Sequence, residues 1–326
     1  MKIAIVTGAY GFLGANLTKE LLSRDYRVLA VGRCGSEGHN DRFEESRQLK
    51  KIFLDMKDYD LLGERILEAY KSLKALKEEP ADVPESVYFF HLAWGGGRED
   101  MAAQLENVRG SVKALLAAAN LRDHILKESG SDIVRVRFVA TGSQAEYGVF
   151  EGIQTEDTPL DPFSAYGKCK VKALEELSRQ AKSCNIDLIW ARIFSLIGKY
   201  EPEGRMFPDI VRKLLNKENV YLSSCEQYWD YLDALDAARA LISLAQKGKA
   251  GEIYNVASGD YRPLKEYVEE VARVLLADTA LLHYGKKAEP FVSLKPSVEK
   301  IKRDTGWKPE IPFRESIEKC TRNLQN

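Results

Sequence analysis

Residues 3–14 read Ile3-Ala4-Ile5-Val6-Thr7-Gly8-Ala9-Tyr10-Gly11-Phe12-Leu13-Gly14, an apolar run that breaks into a turn with three glycines and then opens an amphipathic helix. An apolar run without alternation is a strand buried on both faces, and such strands belong to parallel sheets covered by helices. The glycines have distinct physical roles, which are to turn the chain, to let backbone N–H groups approach a pyrophosphate, and to let helix and strand pack closely. Three glycines alone also suit a structural turn. Their place after a first strand and before a helix points to a dinucleotide site at Gly8, Gly11 and Gly14.

The pattern that follows supports this fold class. Apolar, β-branched runs predict strands at 2–6, 27–32, 51–54, 87–92, 134–140 and 187–193, with helices near 12–23, 58–76, 101–128 and 164–184 between them. In the third helix Met101, Leu105, Val108, Val112, Leu115 and Leu116 recur at three- and four-residue spacing, so one face is apolar. Polar stretches at 34–48 and 77–85 read as surface excursions. Beyond Gly198 the elements shorten, with helices near 207–217, 233–247 and 263–276 and strands near 219–223 and 252–256. The expectation is an α/β protein: a Rossmann-type, doubly wound parallel sheet with a smaller C-terminal α/β domain.

Composition narrows the partners. A chain of 326 residues with net charge −1 and no long basic run is not built to neutralise nucleic-acid phosphates or to adhere to an anionic membrane. No segment reaches the ~20 apolar residues of a membrane span, and Met1-Lys2 leads directly into the first strand instead of a secretory leader. Cys34, Cys169, Cys184, Cys225 and Cys320 lack paired spacing, and the histidines are isolated. A cytoplasmic protein with reduced thiols and no metal centre is expected.

Which dinucleotide is bound turns on the end of the second strand, where Gly32-Arg33 stands in place of an acidic residue. A carboxylate there accepts the ribose hydroxyls of NAD, whereas a guanidinium can pair with the extra phosphate of NADP. Arg33 favours NADP(H), with NAD open, since an arginine can also simply begin a solvated loop. Tyr166 and Lys170 fall four apart at a predicted helix start, hence one above the other. An ammonium beside a phenol favours phenolate and suits it to exchange a proton. Thr141-Gly142-Ser143-Gln144-Ala145-Glu146-Tyr147-Gly148 follows a strand, so Ser143 emerges at a carboxyl end of the sheet, where a hydroxyl can hold a reacting oxygen. His91 lies within a predicted buried strand and reads as a core histidine.

With these motifs the chain resembles, over nearly its whole length, the extended short-chain dehydrogenase/reductases, or NAD-dependent epimerase/dehydratases, which act mainly on nucleotide-linked sugars. Further matches are His91-Leu92-Ala93-Trp94, Glu106-Asn107-Val108-Arg109-Gly110, the run from Ala191 to Gly198, Gln227-Tyr228-Trp229-Asp230-Tyr231 and Thr305-Gly306-Trp307-Lys308-Pro309. The resemblance implies Ser143, Tyr166 and Lys170 as the catalytic set. It implies Asp55 and Met56, Leu92 and Ala93, Asn107, Thr141 and Ile193 beside the cofactor, along with Phe12, Leu13 and Arg33 at its phosphates and ribose. Trp94, Ser143, Gln144, Ser195, Arg205 and Trp229 are expected toward the substrate, a nucleotide-diphosphate sugar.

The resemblance also implies a dinucleotide-binding domain at 1–198 with returning segments near 226–257, a sugar-binding domain at 199–225 and 258–326, and a homodimer through the helices near 101–128 and 164–184. Departures from the family pattern matter too. Sugar dehydratases carry Asp-Glu directly after the catalytic hydroxyl, and here Gln144-Ala145 follow Ser143; Trp229 stands where a phosphate-binding Arg is common. The resulting expectation is an NAD(P)H-dependent reductase of a nucleotide-linked keto sugar, of the 4-keto-6-deoxy kind. A nucleotide-sugar epimerase with retained NAD is the alternative, and a non-catalytic dinucleotide sensor the third reading.

Overall fold

A computed structural model describes residues 2–35, 42–44, 46–74, 86–130 and 134–325, the last four of these by backbone alone. The chain runs β1 (Ile3–Thr7), α1 (Phe12–Ser23), β2 (Arg27–Gly32), β3 (Leu49–Phe53), α2 (Leu62–Lys74), β4 (Ser86–His91), α3 (Met101–Ser129), β5 (Arg135–Ser143), α4 (Ala165–Cys184) and β6 (Asp187–Ile193). It continues through β7 (Ser195–Ile197), α5 (Met206–Leu215), β8 (Val220–Leu222), β9 (Tyr228–Trp229), β10 (Tyr231–Asp233), α6 (Ala234–Lys247) and β11 (Ile253–Val256). The remaining elements are β12 (Arg262–Pro263), α7 (Leu264–Val274), β13 (Leu282–Tyr284), α8 (Glu299–Thr305) and α9 (Phe313–Gln325).

Seven parallel strands form the central sheet in the order β11-β6-β5-β4-β1-β2-β3. This is a Rossmann-type sheet, and its strand order reverses between β1 and β4, where doubly wound folds open a crevice at the carboxyl ends. Every residue of β1 is buried, as its unbroken apolar run requires. On one face the core gathers Leu17 and Leu21 of α1 with Leu241 and Leu244 of α6. The opposite face holds Ile66 of α2, Leu115 of α3 and Leu177 of α4. A third cluster joins Phe207, Ile210, Val268, Val271 and Ile317 of α5, α7 and α9.

The glycine turn is sterically closed around its own backbone. Gly8 has φ +73° and a side chain there would lie 2.8 Å from the Ala93 nitrogen, while a Cβ on Gly14 would collide with the Gly8 carbonyl oxygen. Gly11 caps α1 without any side-chain hydrogen bond, and no acidic residue occupies its first turn. The leading N–H groups of that helix are therefore left to a ligand.

Several elements depart from expectation. β5 runs on to Ser143, past the predicted end at 140, because Thr141, Gly142 and Ser143 pair with Ala191, Arg192 and Ile193 of β6. The helix expected from 58 begins as a 3-10 turn over Met56–Leu61 and becomes α-helical only at Leu62. The stripe on α3 is only partly consumed: Val108 and Leu115 are buried, but Met101 and Leu116 are exposed. Small residues, Gly110, Ser111, Ala114, Ala117 and Ala118, bury that helix instead and let it approach its neighbours closely. The excursion at 77–85, parts of that at 34–48 and the last two residues of the helix expected to 76 lie outside the described residues. No helix among the described residues is long and apolar enough to cross a membrane.

Because Gly14 has no room to relax, Gly14→Ala is expected to lower stability by about 1–3 kcal/mol. Thermal and urea unfolding of the two proteins would measure the loss.

Candidate active site

Ser143 ends β5 and caps the 3-10 turn Gln144–Glu146, its hydroxyl accepting from the Ala145 N–H at 3.2 Å. Glu146 closes the reciprocal half of this capping box, accepting the Ser143 N–H at 2.7 Å. Tyr166 and Lys170 stand on α4, which Ser164 caps by accepting the Gly167 N–H at 3.0 Å. Tyr166 and Ser143 line the same cavity, and the Ser143 hydroxyl favours the phenolate of Tyr166. Lys170, only 2% exposed, donates to the Thr141 carbonyl at 2.7 Å and lies 5.7 Å from the Tyr166 ring centre. The three residues expected to act together are thus brought together.

Their charge states follow from burial. Burial raises the Tyr166 phenol above its ordinary range, outweighing the Ser143 hydroxyl and the Arg98 guanidinium 4.7 Å from its ring centre, both of which favour phenolate. The expectation that Tyr166 stands below the ordinary range is therefore corrected for the protein by itself, which holds a neutral phenol. Burial also drives the Lys170 ammonium down, opposed by the carboxylate of Glu146.

Glu146 is the centre of a buried network. It is 0% exposed and Arg192 2%, and Arg192 Nε donates to it at 2.7 Å. Trp190 Nε1 adds a bond at 3.1 Å, and Arg192 Nη1 reaches the Tyr147 hydroxyl at 3.0 Å and the Glu156 carbonyl at 3.1 Å. The Ser143-x-x-Glu146 spacing carries the capping-box signal for this residue. Arg192 has no such local signal, because its partner lies on another strand.

Ser143, Gln144, Tyr166 and Ile193 line a cavity of about 320 Å3 together with Phe12, Ser195, Arg205 and Trp229. Trp229 Nε1 donates to Ser195 Oγ at 2.7 Å. Glu201, which the sequence did not single out, also faces this cavity, its carboxyl pushed up to about 7 by burial. Trp94 packs over Lys170.

Leu92 and Ala93 follow β4 against the glycine turn, and Arg33 stands exposed after β2. Asp55 caps the 3-10 turn after β3, and Met56 packs over Gly110 of α3. Leu13 packs at the edge of the core. Asn107 spends its amide on Gly95, accepting its N–H at 3.1 Å and donating to its carbonyl at 2.8 Å, so it braces the loop after β4. No cluster of metal-binding side chains occurs among the described residues.

His91 is enclosed as expected. The Ser111 hydroxyl donates to the Asn107 carbonyl at 2.8 Å, so His91 Nε2 donates to Ser111 Oγ at 2.9 Å and Nδ1 accepts from Thr7 Oγ1 at 2.7 Å. Burial and then the charge of Lys170 lower this imidazole to about 3, keeping it neutral.

Comparison with known proteins is decisive at the family level: the model of the NAD-dependent epimerase/dehydratase family matches residues 4–257. The chain belongs to that family. It is 23% identical over 344 residues to a probable UDP-arabinose 4-epimerase 1 of Oryza sativa subsp. japonica, covering 93% of this chain and 74% of that one. Among solved structures it matches dTDP-glucose 4,6-dehydratase of Bacillus anthracis in complex with NAD, with TM-score 0.80, 20% identity and coverage of 100% and 97% of the two chains. It also matches RMD of Pseudomonas aeruginosa complexed with NADPH, with TM-score 0.73, 21% identity and coverage of 100% and 99%. These structural likenesses establish the shared fold.

Two measurements test the electrostatics of this family member. Arg192→Leu leaves the Glu146 carboxylate buried without its counter-charge and is expected to cost about 3–5 kcal/mol in urea unfolding. Between its ordinary 6.5 and its folded value of about 3, His91 binds a proton in the unfolded chain that the fold refuses. Stability therefore declines as pH falls through that window, by up to about 1.4 kcal/mol per unit. His91→Gln should remove this contribution to the slope of unfolding free energy against pH.

Proposed function

We propose that this protein is a nucleotide-sugar 4-epimerase, acting on a nucleoside-diphosphate sugar at a single carbon whose hydroxyl is oxidised and then restored with the opposite configuration. The observation that carries the reading is Ser143 and Tyr166 at a cavity large enough for a sugar ring, with Lys170 buried beside Tyr166 and with Gln144-Ala145 where the family's dehydratases carry an acidic pair. Similarity to a UDP-arabinose 4-epimerase over most of both chains supports it.

The closed glycine turn and uncapped α1 fit a dinucleotide pyrophosphate. When bound, the dinucleotide supplies the acceptor and donor of hydride. Tyr166 takes the hydroxyl proton as the sugar carbon is oxidised and returns it as the ketone is reduced. As a buried phenol it is ready to donate; taking a proton requires phenolate, which Ser143, Lys170 and Arg98 favour. Ser143 holds the reacting oxygen, and Lys170, fixed by the Thr141 carbonyl, keeps positive charge beside the phenol. Arg205 and Trp229, which line the same cavity, would meet the diphosphate and sugar.

A second reading has its own support. Arg33 is exposed at the end of β2 with no acidic residue to receive the ribose hydroxyls of NAD, which suits NADP(H) and a reductase of a 4-keto-6-deoxy sugar. Exposed Met101 and Leu116 on α3 support a homodimer through α3 and α4.

Purified protein is expected to interconvert 4-epimeric UDP-sugars with no net consumption of coenzyme, and Tyr166→Phe to slow this by about 10²–10⁴-fold. Stoichiometric loss of NADPH with a nucleotide-linked 4-keto-6-deoxy sugar, without interconversion, would replace the epimerase by the reductase. Turnover of neither substrate class would overturn both readings.

A further inference from the structure

The face of Trp94 lies directly on the catalytic ammonium: Lys170 Nζ is 3.6 Å from the centre of the indole ring. Lys170 is 2% exposed, and its hydrogen bond within the protein runs to the Thr141 carbonyl. An ammonium has three donors. The carbonyl takes one and the negative face of the ring takes a second, and the third has no hydrogen-bond partner among the described residues.

The indole is itself fixed. Trp94 Nε1 donates to Gln104 Oε1 at 2.6 Å, and Gln104, 1% exposed on α3, donates through Nε2 to the carbonyls of Gly95 at 3.2 Å and Gly97 at 2.9 Å. The same indole meets Tyr166 edge-on, with ring centres 6.1 Å apart and planes at 88°. A continuous contact therefore runs from α3 through Trp94 to both reacting groups of α4.

We propose that Trp94 is a positioning residue: its ring, pinned by Gln104, holds Lys170 charged and in place beside Tyr166 while leaving one ammonium donor for the reaction. The catalytic part of this inference rests on the function proposed above; the contact itself does not. It goes beyond the expectation that Trp94 touches the sugar, because it rests on the ring face turned to the lysine.

The charged and titratable groups facing Lys170 are Glu146 after β5, which favours the ammonium, Tyr166 on α4, and His91 on β4, which is neutral. Removing the ring face withdraws support from the charged form, so the lysine should lose its proton at lower pH. A desolvated cation–π contact corresponds to a shift on the order of one pH unit.

The test is a pH titration of Lys170 by NMR of 13C- and 15N-labelled lysine side chains, in ligand-free protein, with Lys170→Met to assign the signal. Trp94→Leu is expected to move the titration down by about one unit, Trp94→Phe, which keeps an aromatic face, to stay nearer the parent protein, and Gln104→Leu, which frees the indole, to shift it partway. With an active substrate, Trp94→Leu should lower kcat roughly tenfold while the sugar KM changes little, and Trp94→Phe should restore much of the loss.

An identical titration in the parent protein and Trp94→Leu overturns the proposal, as does a shift in Trp94→Phe as large as in Trp94→Leu. Should Trp94→Leu fail to fold, an unshifted titration in Gln104→Leu overturns it. If no nucleotide sugar turns over, the functional reading falls while the titration still decides the role of Trp94.

Discussion

The buried carboxylate of Glu146 is the interaction on which the rest of the site depends. It receives the Ser143 N–H, the Trp190 indole and the Arg192 guanidinium, and so joins the end of β5, the turn that follows it and β6 into one rigid unit. Burying an ion pair this completely is favourable only when good geometry and further hydrogen bonds satisfy both partners, and here Tyr147 and Glu156 complete the shell of Arg192. The same negative charge sustains Lys170 and opposes ionisation of Tyr166. One carboxylate thus orients the hydroxyl and biases both titratable groups toward their protonated forms.

What is legible in the sequence is what local pattern can encode. The apolar run of β1, the glycines closing on their own backbone and the i, i+4 relation of Tyr166 and Lys170 need no distant partner to be recognised. Most of the parallel core strands carry apolar runs and lie near their expected positions, whereas β3 contains Lys50 and Lys51 and begins two residues before the expected 51. Short pieces of the C-terminal half do not: β7 against β10 and β9 against β12 are two- and three-residue pairings held by tertiary contact, too brief for any periodicity. Likewise α8 and α9 are absent from the expectation, although Thr305-Gly306-Trp307 marks the end of α8 with an αL glycine.

The site is less completely legible than the fold, for a related reason. Ser143, Tyr166 and Lys170 announce themselves by spacing, but the residues that set their charge do not. Arg98 reaches Tyr166 from the loop after β4, and Arg192 reaches Glu146 from a neighbouring strand. Trp94 reads as a lining residue because Gly95-Gly96-Gly97 follow it and leave backbone free to approach a ligand; only the packing shows its face turned to an ammonium. Whether a phenol lies above or below its ordinary range is likewise a balance of burial against neighbours, and no linear pattern reports that balance.

The glycine-rich loop after β4 looks pliable in the sequence, yet it is sewn down on both sides. Gln104 and Asn107 of α3 hold Gly95 and Gly97, and the Tyr166 N–H donates to the Arg98 carbonyl at 2.9 Å. The wall of the cavity that carries the reacting groups is therefore fixed. The segment that leads to Arg205 differs: residues 202–205 are exposed, and Gly204, at φ +76°, has nothing within 4 Å of where a side chain would stand. Arg205, at the end of that segment, lines the cavity with Met206, so the cavity has one wall braced by hydrogen bonds and one whose approach is unconfined by neighbouring atoms; under the function proposed above, the unconfined side is where a sugar would pass.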